Sequence, residues 1–113
     1  MPIAITPQEV PHLLPPGACV YVQAGAAQPT TLLEAIRDEG TADQHFVTAA
    51  FPGINEFALD SLGPATRSTV FYASRSLAAG LASGQVEHLP LHHSQIASCL
   101  LDALRPQVLL VQV

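Results

Sequence analysis

The chain has 113 residues, of which 49% are hydrophobic and only 12% are charged, and its formal net charge at pH 7 is −5. This length suits one domain, and the apolar composition excludes a disordered chain. The four basic residues, all arginine, are too few for broad contact with phosphates, so no nucleic acid partner is expected. Because so little charge leaves apolar surface available, we expect a homo-oligomer or a chain that pairs with another domain.

The cysteines and the amino-terminal residues indicate the cellular compartment of the protein. Cys19 and Cys99 are not spaced as a redox or metal-binding pair, and we interpret them as buried free thiols in a reducing compartment. The first residues lack the basic start and apolar segment of a signal peptide, and no apolar run approaches the roughly 18 residues that a membrane span needs. The sequence therefore predicts a cytoplasmic protein that does not contact a membrane.

The first predicted elements are a short helix, a strand and a longer helix. Thr6 and Glu9 fit the N-cap and third position of the short helix. Residues 18–22 (ACVYV) are apolar on both alternating faces, as in a buried parallel strand. Residues 29–39 carry apolar side chains at helical spacing and precede Gly40, so they predict a helix that the glycine ends.

The alternation of strands and helices continues along the chain. A helical turn is expected near residues 56–62. Ser74 is predicted to cap a helix that Gly84 ends, and Ser94 to cap the most clearly amphipathic helix, which stops before Pro106. Further strands are predicted at residues 45–51, 69–73, 86–91 and 108–113.

This order of elements predicts the fold class and the place of a site. Strands that alternate with amphipathic helices imply an α/β fold, with a mostly parallel five-stranded sheet and helices on both faces. In such sheets, ligands bind outside the carboxyl ends of the strands. The segments of interest are therefore residues 25–29, 49–53, 73–75 and 91–94.

The loop after the first strand is a candidate binding site, and it consists of Gly25, Ala26, Ala27, Gln28 and Pro29. Its small residues lead into a helix N-terminus, where unpaired N–H groups favour an anion or a carbonyl oxygen. Small residues also permit tight packing of a strand against a helix, and the loop lacks a complete phosphate-binding motif. Both interpretations stay open on these residues alone.

Neither a metal site nor a catalytic residue is predicted. The histidines His88, His92 and His93 lie close together in sequence. Pro90 prevents the first two from sharing one helical turn, and no cysteine or carboxylate completes a ligand set. His92 and His93 are expected at the carboxyl end of the fourth strand, either solvated or lining a site. No glutamate has an acidic partner for general acid–base catalysis. Glu56 lies in an irregular loop, and its role stays open.

Three segments carry a resemblance to a known family. They are LPPGACVYVQAGAAQPTTLLEAI, STVFYASRSLAAGLASGQVEHLPLHHSQI and LRPQVLLVQV. Their order, and the run from Gly84 that ends in P-L-H-H-S at Ser94, resemble the amino-terminal part of the acetyl-CoA hydrolase/transferase family. That family includes the 4-hydroxybutyrate and acetate coenzyme A transferases. The resemblance covers most of the chain, from residue 14 to residue 113.

The resemblance implies a fold, a reaction and a set of site residues. The fold would be one NagB/RpiA-like half of a two-domain protein that exchanges coenzyme A (CoA) between an acyl-CoA and a small carboxylate through a glutamyl-CoA thioester. CoA or acyl-CoA would be a substrate, with no tightly bound cofactor. The loop of residues 25–29 would face the cleft, with Ala73, Ser74 and His92 on neighbouring strand ends.

One departure from the family limits this expectation. The family's nucleophilic glutamate and its glycine-containing oxyanion loop lie in a second domain, which these 113 residues do not contain. We therefore expect residues 1–113 to be a single domain, the amino-terminal portion of a CoA-transferase that is inactive alone. The alternative is a stand-alone, non-catalytic binding or assembly module derived from that family. The sequence leaves open whether the chain acts as an enzyme.

Overall fold

The computed structural model describes residues 2–40 and 43–112. The strands are β1 (Cys19–Val22), β2 (His45–Thr48), β3 (Arg67–Val70), β4 (Val86–His88) and β5 (Val108–Leu110). The α-helices are α1 (Val10–Leu13), α2 (Thr30–Glu39), α3 (Ala78–Ser83) and α4 (His93–Cys99). Tight helical turns lie at Pro7–Glu9, Gly25–Ala27, Leu59–Leu62 and Arg75–Leu77, and α4 continues into a π-helical turn at Leu100–Leu104.

All five strands run parallel in one sheet, in the order β4-β3-β2-β1-β5. The predicted α/β fold is confirmed, and the sheet is wholly rather than mostly parallel. Val20 of β1 pairs with Phe46 of β2 on one side and with Val108 of β5 on the other. The chain thus changes direction across the sheet between β1 and β5. Sheets of this type bind ligands at the carboxyl ends of the strands, at such a change of direction.

The helix α2 covers one face of the sheet. Leu33 and Ile36 lie three residues apart on one side of α2 and are 1% and 0% exposed. They belong to the buried cluster that contains Val20 and Phe46. Gly40, with φ +80, donates its N–H to the Ile36 carbonyl oxygen and ends the helix, as predicted. The apolar spacing along α2 therefore gives this face a closed core.

The helix α4 covers the opposite face only in part. Val47, Ala49 and Phe71 form a buried cluster there, against which Ile96 and Leu100 pack. Both of these residues stay half-buried, and α4, which is described in full, has no buried residue. Helices therefore lie on both faces of the sheet, as predicted, but the second face is thinly covered.

The cysteines lie on this thinly covered face. Cys19 and Cys99 are free, but each is half-buried rather than buried as the sequence analysis expects. Both pack at the edge of the Phe71 cluster, where α4 shields side chains from solvent incompletely. Across residues 2–40 and 43–112, no helix combines the length and the apolar character that crossing a membrane requires.

Several strands are shorter than, or displaced from, the predicted ranges. The strand β2 stops at Thr48, because Ala50 has φ +53 and leaves the extended region. The strand β4 stops before Pro90, which cannot donate to a sheet. The strand β3 begins at Arg67, earlier than predicted. The strand β5 ends at Leu110, and the predicted end of the strand, residue 113, lies outside the described residues.

The two serines predicted as helix caps do not cap. The helix α4 begins at His93, so Ser94 lies in its first turn rather than before it. The residue before the helix is His92, whose backbone N–H donates to Gln95 Oε1 at 3.0 Å. Ser74 does precede a helical turn, but its Oγ pairs with Ser76 Oγ at 2.8 Å and caps no backbone group. A glutamine three residues into α4 thus satisfies a backbone donor in place of a serine hydroxyl.

Candidate functional site

A pocket lies at the carboxyl ends of β1, β2 and β3, and we call it the carboxyl-end pocket. It is bounded by the loop after β1 (residues 23–29), the loop after β2 (residues 49–58) and the turn after β3. Its lining is mainly apolar and includes Val22 and Leu33. Its polar lining residues are Gln28, Thr48, Asn55, Glu56, Ser74 and Ser76. This is the edge of the sheet at which the sequence analysis expects a ligand.

The carboxyl-end pocket is a narrow crevice. It contains about 340 Å³ of empty space, part of which is open to solvent, and its interior has room for about one water molecule. A mainly apolar lining with a few polar groups is the usual make-up of a small-molecule site. A ligand larger than water would therefore have to be slender and lie along the part of the crevice that is open to solvent.

The loop after β1 forms a tight turn whose shape depends on Gly25. Gly25 has φ +75, a left-handed conformation that favours glycine. Its carbonyl oxygen accepts the backbone N–H of Gln28 at 3.1 Å and so closes the turn. The backbone N–H of Ala26 donates to no acceptor in the part of the chain that the structure describes. Ala26 is exposed, however, and does not belong to the pocket lining.

Gln28 brings a buried amide to the pocket wall. The residue is 8% exposed, and its Nε2 donates to Thr30 Oγ1 at 3.2 Å, in the first turn of α2. Its Oε1 accepts no hydrogen bond from the described part of the chain. This oxygen is itself open to solvent, since the buried side-chain polar atoms without a partner in the described residues are Gln44 Oε1 and Ser68 Oγ. It can therefore accept a hydrogen bond from water or from a ligand. Pro29, also buried, separates Gln28 from the start of α2.

The loop after β2 holds two non-glycine residues in left-handed backbone, Ala50 with φ +53 and Asn55 with φ +46. Asparagine tolerates this region, whereas the Cβ of alanine makes it unfavourable. Asn55 Nδ2 donates to the Gly25 carbonyl oxygen at 3.0 Å. The ring of Phe51 stacks on Tyr72 with centroids 5.1 Å apart. Strain of this kind persists where surrounding contacts enforce it, and it is concentrated at functional sites.

The predicted segment of residues 49–53 includes Ala50 without giving it a role, and no predicted segment includes Asn55. The pair Pro52 and Gly53 signals a turn in this loop. No local pattern, however, reveals a contact between Asn55 and Gly25, because the two residues are 30 positions apart. What marks Ala50 and Asn55 is a positive φ at a residue other than glycine, and that is visible only in the structure.

The predicted site residues are brought together only in part. Gln28 and Ser74 line the carboxyl-end pocket from different elements. Ala26 and Ala73 are exposed, and neither belongs to the pocket lining. Ser74 is half-buried. The pocket thus combines the loop after β1 with the turn after β3. Gln28 is the one residue of segment 25–29 in its lining, and Ser74 is the one residue of segment 73–75.

His92 lies in a different place. It lines a separate groove beyond β4, together with Tyr72 and His88. His93, the first residue of α4, has its Nδ1 3.5 Å from Tyr72 Oη. In the part of the chain that the structure describes, no group of three or more histidine, cysteine, aspartate or glutamate residues is arranged to hold a metal ion.

The carboxyl-end pocket lacks positive charge. Glu56 is the one charged residue in its described lining, and neither arginine nor histidine contributes to it. Arg37 lies near the pocket residue Phe57, with Cζ 5.9 Å from the ring centroid, but its Nε pairs with Asp38 Oδ1 at 3.2 Å. A phosphate group inside the pocket would therefore meet a carboxylate and no guanidinium.

Cys19 is not a suitable nucleophile. Burial raises the pKa of its thiol, so the thiol stays protonated at neutral pH, and only the thiolate is strongly nucleophilic. Burial likewise raises the pKa of Tyr21. These two residues belong to the face that α4 covers, and neither lines the carboxyl-end pocket.

Comparison with known proteins adds a likeness at the level of the fold. No family model and no curated protein matches the chain. Among solved structures, the chain is similar to RipA from Yersinia pestis, with a TM-score of 0.72 and 17% sequence identity. The match covers 95% of this chain and 28% of RipA, so the chain spans less than a third of that protein. At this identity, the likeness bears on the fold alone.

Proposed function

We propose that this chain is the amino-terminal portion of a CoA-transferase and forms one wall of its active-site cleft. The substrates would be an acyl-CoA and a small carboxylate, and the catalytic glutamate would come from a second domain. The observation that carries the proposal is the carboxyl-end pocket, where Gln28 and Ser74 lie together. The family resemblance implies both residues for the cleft. A chain with this role binds substrate but transfers no CoA by itself.

The charge of the pocket suggests which part of CoA it would bind. The phosphates of CoA need arginine or lysine partners, and the described lining has neither. The pantetheine arm is neutral and slender, and its amides both donate and accept hydrogen bonds. Gln28 Oε1 and the Ser74 hydroxyl, both on the pocket lining, are an acceptor and a donor that could pair with these amides. We therefore assign the pantetheine arm to the side of this pocket that is open to solvent, beside Gln28 and Ser74, and the nucleotide to residues outside the pocket.

Thermal unfolding with and without ligand tests the proposal. A ligand that binds only the folded chain stabilises it by RT ln(1 + [L]/Kd). If the Kd is submillimolar and the free ligand concentration is ten times the Kd, this is about 1.4 kcal/mol. For a domain of this size, the midpoint should rise by roughly 5 °C. We expect this rise with millimolar CoA or pantetheine and none with adenosine 3′,5′-bisphosphate. No rise with either CoA or pantetheine would contradict the proposal.

A pair of serine variants ties the effect to the pocket. Ser74 lines the carboxyl-end pocket, and its hydroxyl bonds only to Ser76 among the described residues. Ser74→Ala should therefore fold normally and show a smaller rise with pantetheine. Ser94→Ala is the matched control, because Ser94 is exposed in α4 and lies outside this pocket. An equal loss of the rise in both variants would place the ligand elsewhere.

The coding sequence around the chain provides a second test. A CoA-transferase portion requires a glutamate-bearing domain, encoded either in the same reading frame or by an adjacent gene. Mixing that domain with this chain should produce transfer of CoA between acetyl-CoA and a carboxylate that neither part catalyses alone. We also propose a cytoplasmic location, which the free thiols Cys19 and Cys99 favour.

A second candidate function is a non-catalytic assembly module that forms homo-oligomers. The supporting observation is an apolar strip beside the edge strand β5, with Leu101, Leu109 and Val111 exposed by 75%, 63% and 49%. Leu101 and Leu109 line one groove between β5 and the π-helical turn. Clustered apolar side chains of this size on a surface commonly mark protein contacts.

Light scattering tests the assembly module. The unmodified chain should be larger than a monomer, and Leu109→Glu should reduce it to a monomer because the charge would be buried in the contact. Ile3→Glu is the control, since Ile3 is 84% exposed and lies outside the groove. A monomeric unmodified chain would exclude this candidate and leave the CoA-transferase proposal unaffected.

A further inference from the structure

The two loops of the carboxyl-end pocket are joined through Asn55. Its Nδ2 donates to the Gly25 carbonyl oxygen at 3.0 Å. The ring of Phe51, from the same loop, also reaches Gly25, because a Cβ built on Gly25 would lie 3.4 Å from Phe51 Cδ2. The loop after β2 therefore holds Gly25 by a hydrogen bond and by ring contact.

The backbone at this junction is unusual on both sides. Gly25 has φ +75 and Asn55 has φ +46, so both partners of the hydrogen bond are left-handed. Ala50, earlier in the loop after β2, has φ +53, which its Cβ disfavours. Glycine and asparagine tolerate this region, so Ala50 is the position at which local preference opposes the shape of the loop. Such a conformation persists only where the surrounding structure enforces it.

The hydrogen bond from Asn55 orients the peptide that joins Gly25 to Ala26. In a planar trans peptide, the C=O and the N–H point in opposite directions. Holding the Gly25 oxygen towards Asn55 therefore turns the Ala26 N–H away from Asn55. The same oxygen accepts the Gln28 N–H at 3.1 Å. Two donors thus hold one acceptor and keep the turn before α2 closed.

From this geometry we propose that Asn55 is a positioning residue: it keeps closed the turn that carries Gln28 to the pocket wall. Gln28 lines the pocket and its backbone N–H shares the Gly25 oxygen with Asn55. Asn55 would then act on substrate through Gln28. The nature of the ligand rests on the proposed function, whereas the effect on the loop is a property of the ligand-free chain.

Amide hydrogen exchange of the full chain, followed by NMR, tests the positioning role. Asn55→Asp keeps the size of the side chain and loses the N–H donor, and Asn55→Gly loses the donor while relieving the left-handed backbone. In both variants the Gln28 amide should exchange at least about tenfold faster, because the turn opens locally. The Phe71 amide, which donates to the Thr48 oxygen in the core, should keep its rate.

A control variant separates this effect from a general loosening. Ser61→Ala removes the hydrogen bond from Ser61 Oγ to the Ala58 oxygen, 2.6 Å long, in the turn that follows the same loop. That change should leave the Gln28 amide as protected as in the unmodified chain. If Asn55 served only to tolerate a left-handed backbone, Asn55→Gly would preserve or increase the protection of Gln28. Unchanged Gln28 exchange in both Asn55 variants would overturn the proposal.

Pantetheine titration then connects the loop to ligand binding. If the proposed function is correct, both Asn55 variants should bind pantetheine at least about fivefold more weakly, because the side chain of Gln28 loses its fixed placement on the pocket wall. Unchanged affinity would restrict Asn55 to a structural role. If the unmodified chain binds no pantetheine, the proposed function is wrong, and the exchange rates still decide the role of Asn55.

Discussion

Gly80 lies inside α3 and packs against Val86 of β4. Helix propensity alone predicts that alanine would stabilise this position by about 1 kcal/mol. A Cβ on Gly80, however, would lie only 2.5 Å from Val86 Cγ2 and 3.2 Å from Val86 Cβ. Overpacking of a closed site costs about 1–3 kcal/mol. We expect Gly80→Ala to lower the free energy of unfolding by about 1 kcal/mol in urea titrations.

A double variant checks the cause of that loss. Val86→Ala removes the methyl group that the new Cβ would strike. In the Val86→Ala background, the Cβ of residue 86 remains 3.2 Å away, so Gly80→Ala should lose less stability than in the unmodified chain, or none, because helix propensity then offsets the remaining contact. The two changes are then non-additive, as expected of residues in contact. Strict additivity would show that the close approach to Val86 is not what disfavours alanine.

Some residues of the pocket could be predicted from the sequence, and others could not. Gln28 and Ser74 could be selected because each follows a predicted strand, and parallel strands end at one edge of the sheet. Asn55 could not be selected, since its role depends on a contact with Gly25 made by folding. His92 also follows a strand, but it lines a different groove. Position after a strand thus predicts the edge of the sheet but not the pocket.

The end of the last helix contains a residue whose backbone is strained. Arg105 follows the π-helical turn with φ +45, and its N–H donates to the Leu100 oxygen at 2.7 Å. Left-handed backbone costs an L-residue about 1–2 kcal/mol, and glycine avoids most of this cost while losing about 0.5–1 kcal/mol in chain entropy. We expect Arg105→Gly to raise the free energy of unfolding by about 0.5–1 kcal/mol, measured by urea titration.

Arg105→Ala is the control for this helix end. It removes the same exposed guanidinium, for which the described residues provide no ion pair, but it keeps the Cβ that disfavours positive φ. Arg105→Ala should therefore be no more stable than the unmodified chain. Equal stabilisation by both changes would mean that the gain comes from removing the charge rather than from the backbone.

Helices and strands differ in how well their limits could be predicted. The helix α2 ends at Gly40 as predicted, because apolar spacing and a terminal glycine are both local signals. The strand β2 stops at Thr48, although the apolar run continues to Phe51. The chain leaves the sheet there because Ala50 turns left-handed and carries Phe51 towards Tyr72. Pro52 and Gly53 signal a turn in this loop, but no local pattern places its start at an alanine two residues earlier.

The arrangement of the whole sheet required the structure. Alternating strands and helices predict parallel crossovers, and all five strands are parallel. No local pattern in the sequence predicts that β5 pairs with β1, because that pairing joins Val20 to Val108, which are far apart along the chain. This one pairing puts the change of chain direction beside β1. It also leaves Leu109 on an edge strand, 63% exposed.

The pairing of β2, β3 and β4 surrounds His45 and gives the folded chain a dependence on pH. His45 Nε2 lies 2.7 Å from Thr69 Oγ1, and His45 pairs with Arg67 across the sheet. Burial, reinforced by the charge of Arg67, lowers the pKa of His45 below its ordinary value of 6.5, and Glu87 opposes the shift only in part. Below that pH, the unfolded chain therefore binds a proton that the folded chain binds less readily.

The sign of this effect follows from proton binding. Stability rises with pH wherever the unfolded state holds more protons, so the free energy of unfolding should fall as the pH drops through about 6.5. His45→Gln keeps a group that can bond to Thr69 and removes the titration. Urea titrations at pH 7.5 and 5.5 should show a smaller decrease for His45→Gln than for the unmodified chain, since the remaining histidines are common to both. Equal decreases would mean that His45 is protonated as readily in the sheet as in water, and that its contacts with Thr69 and Arg67 leave its charge unopposed.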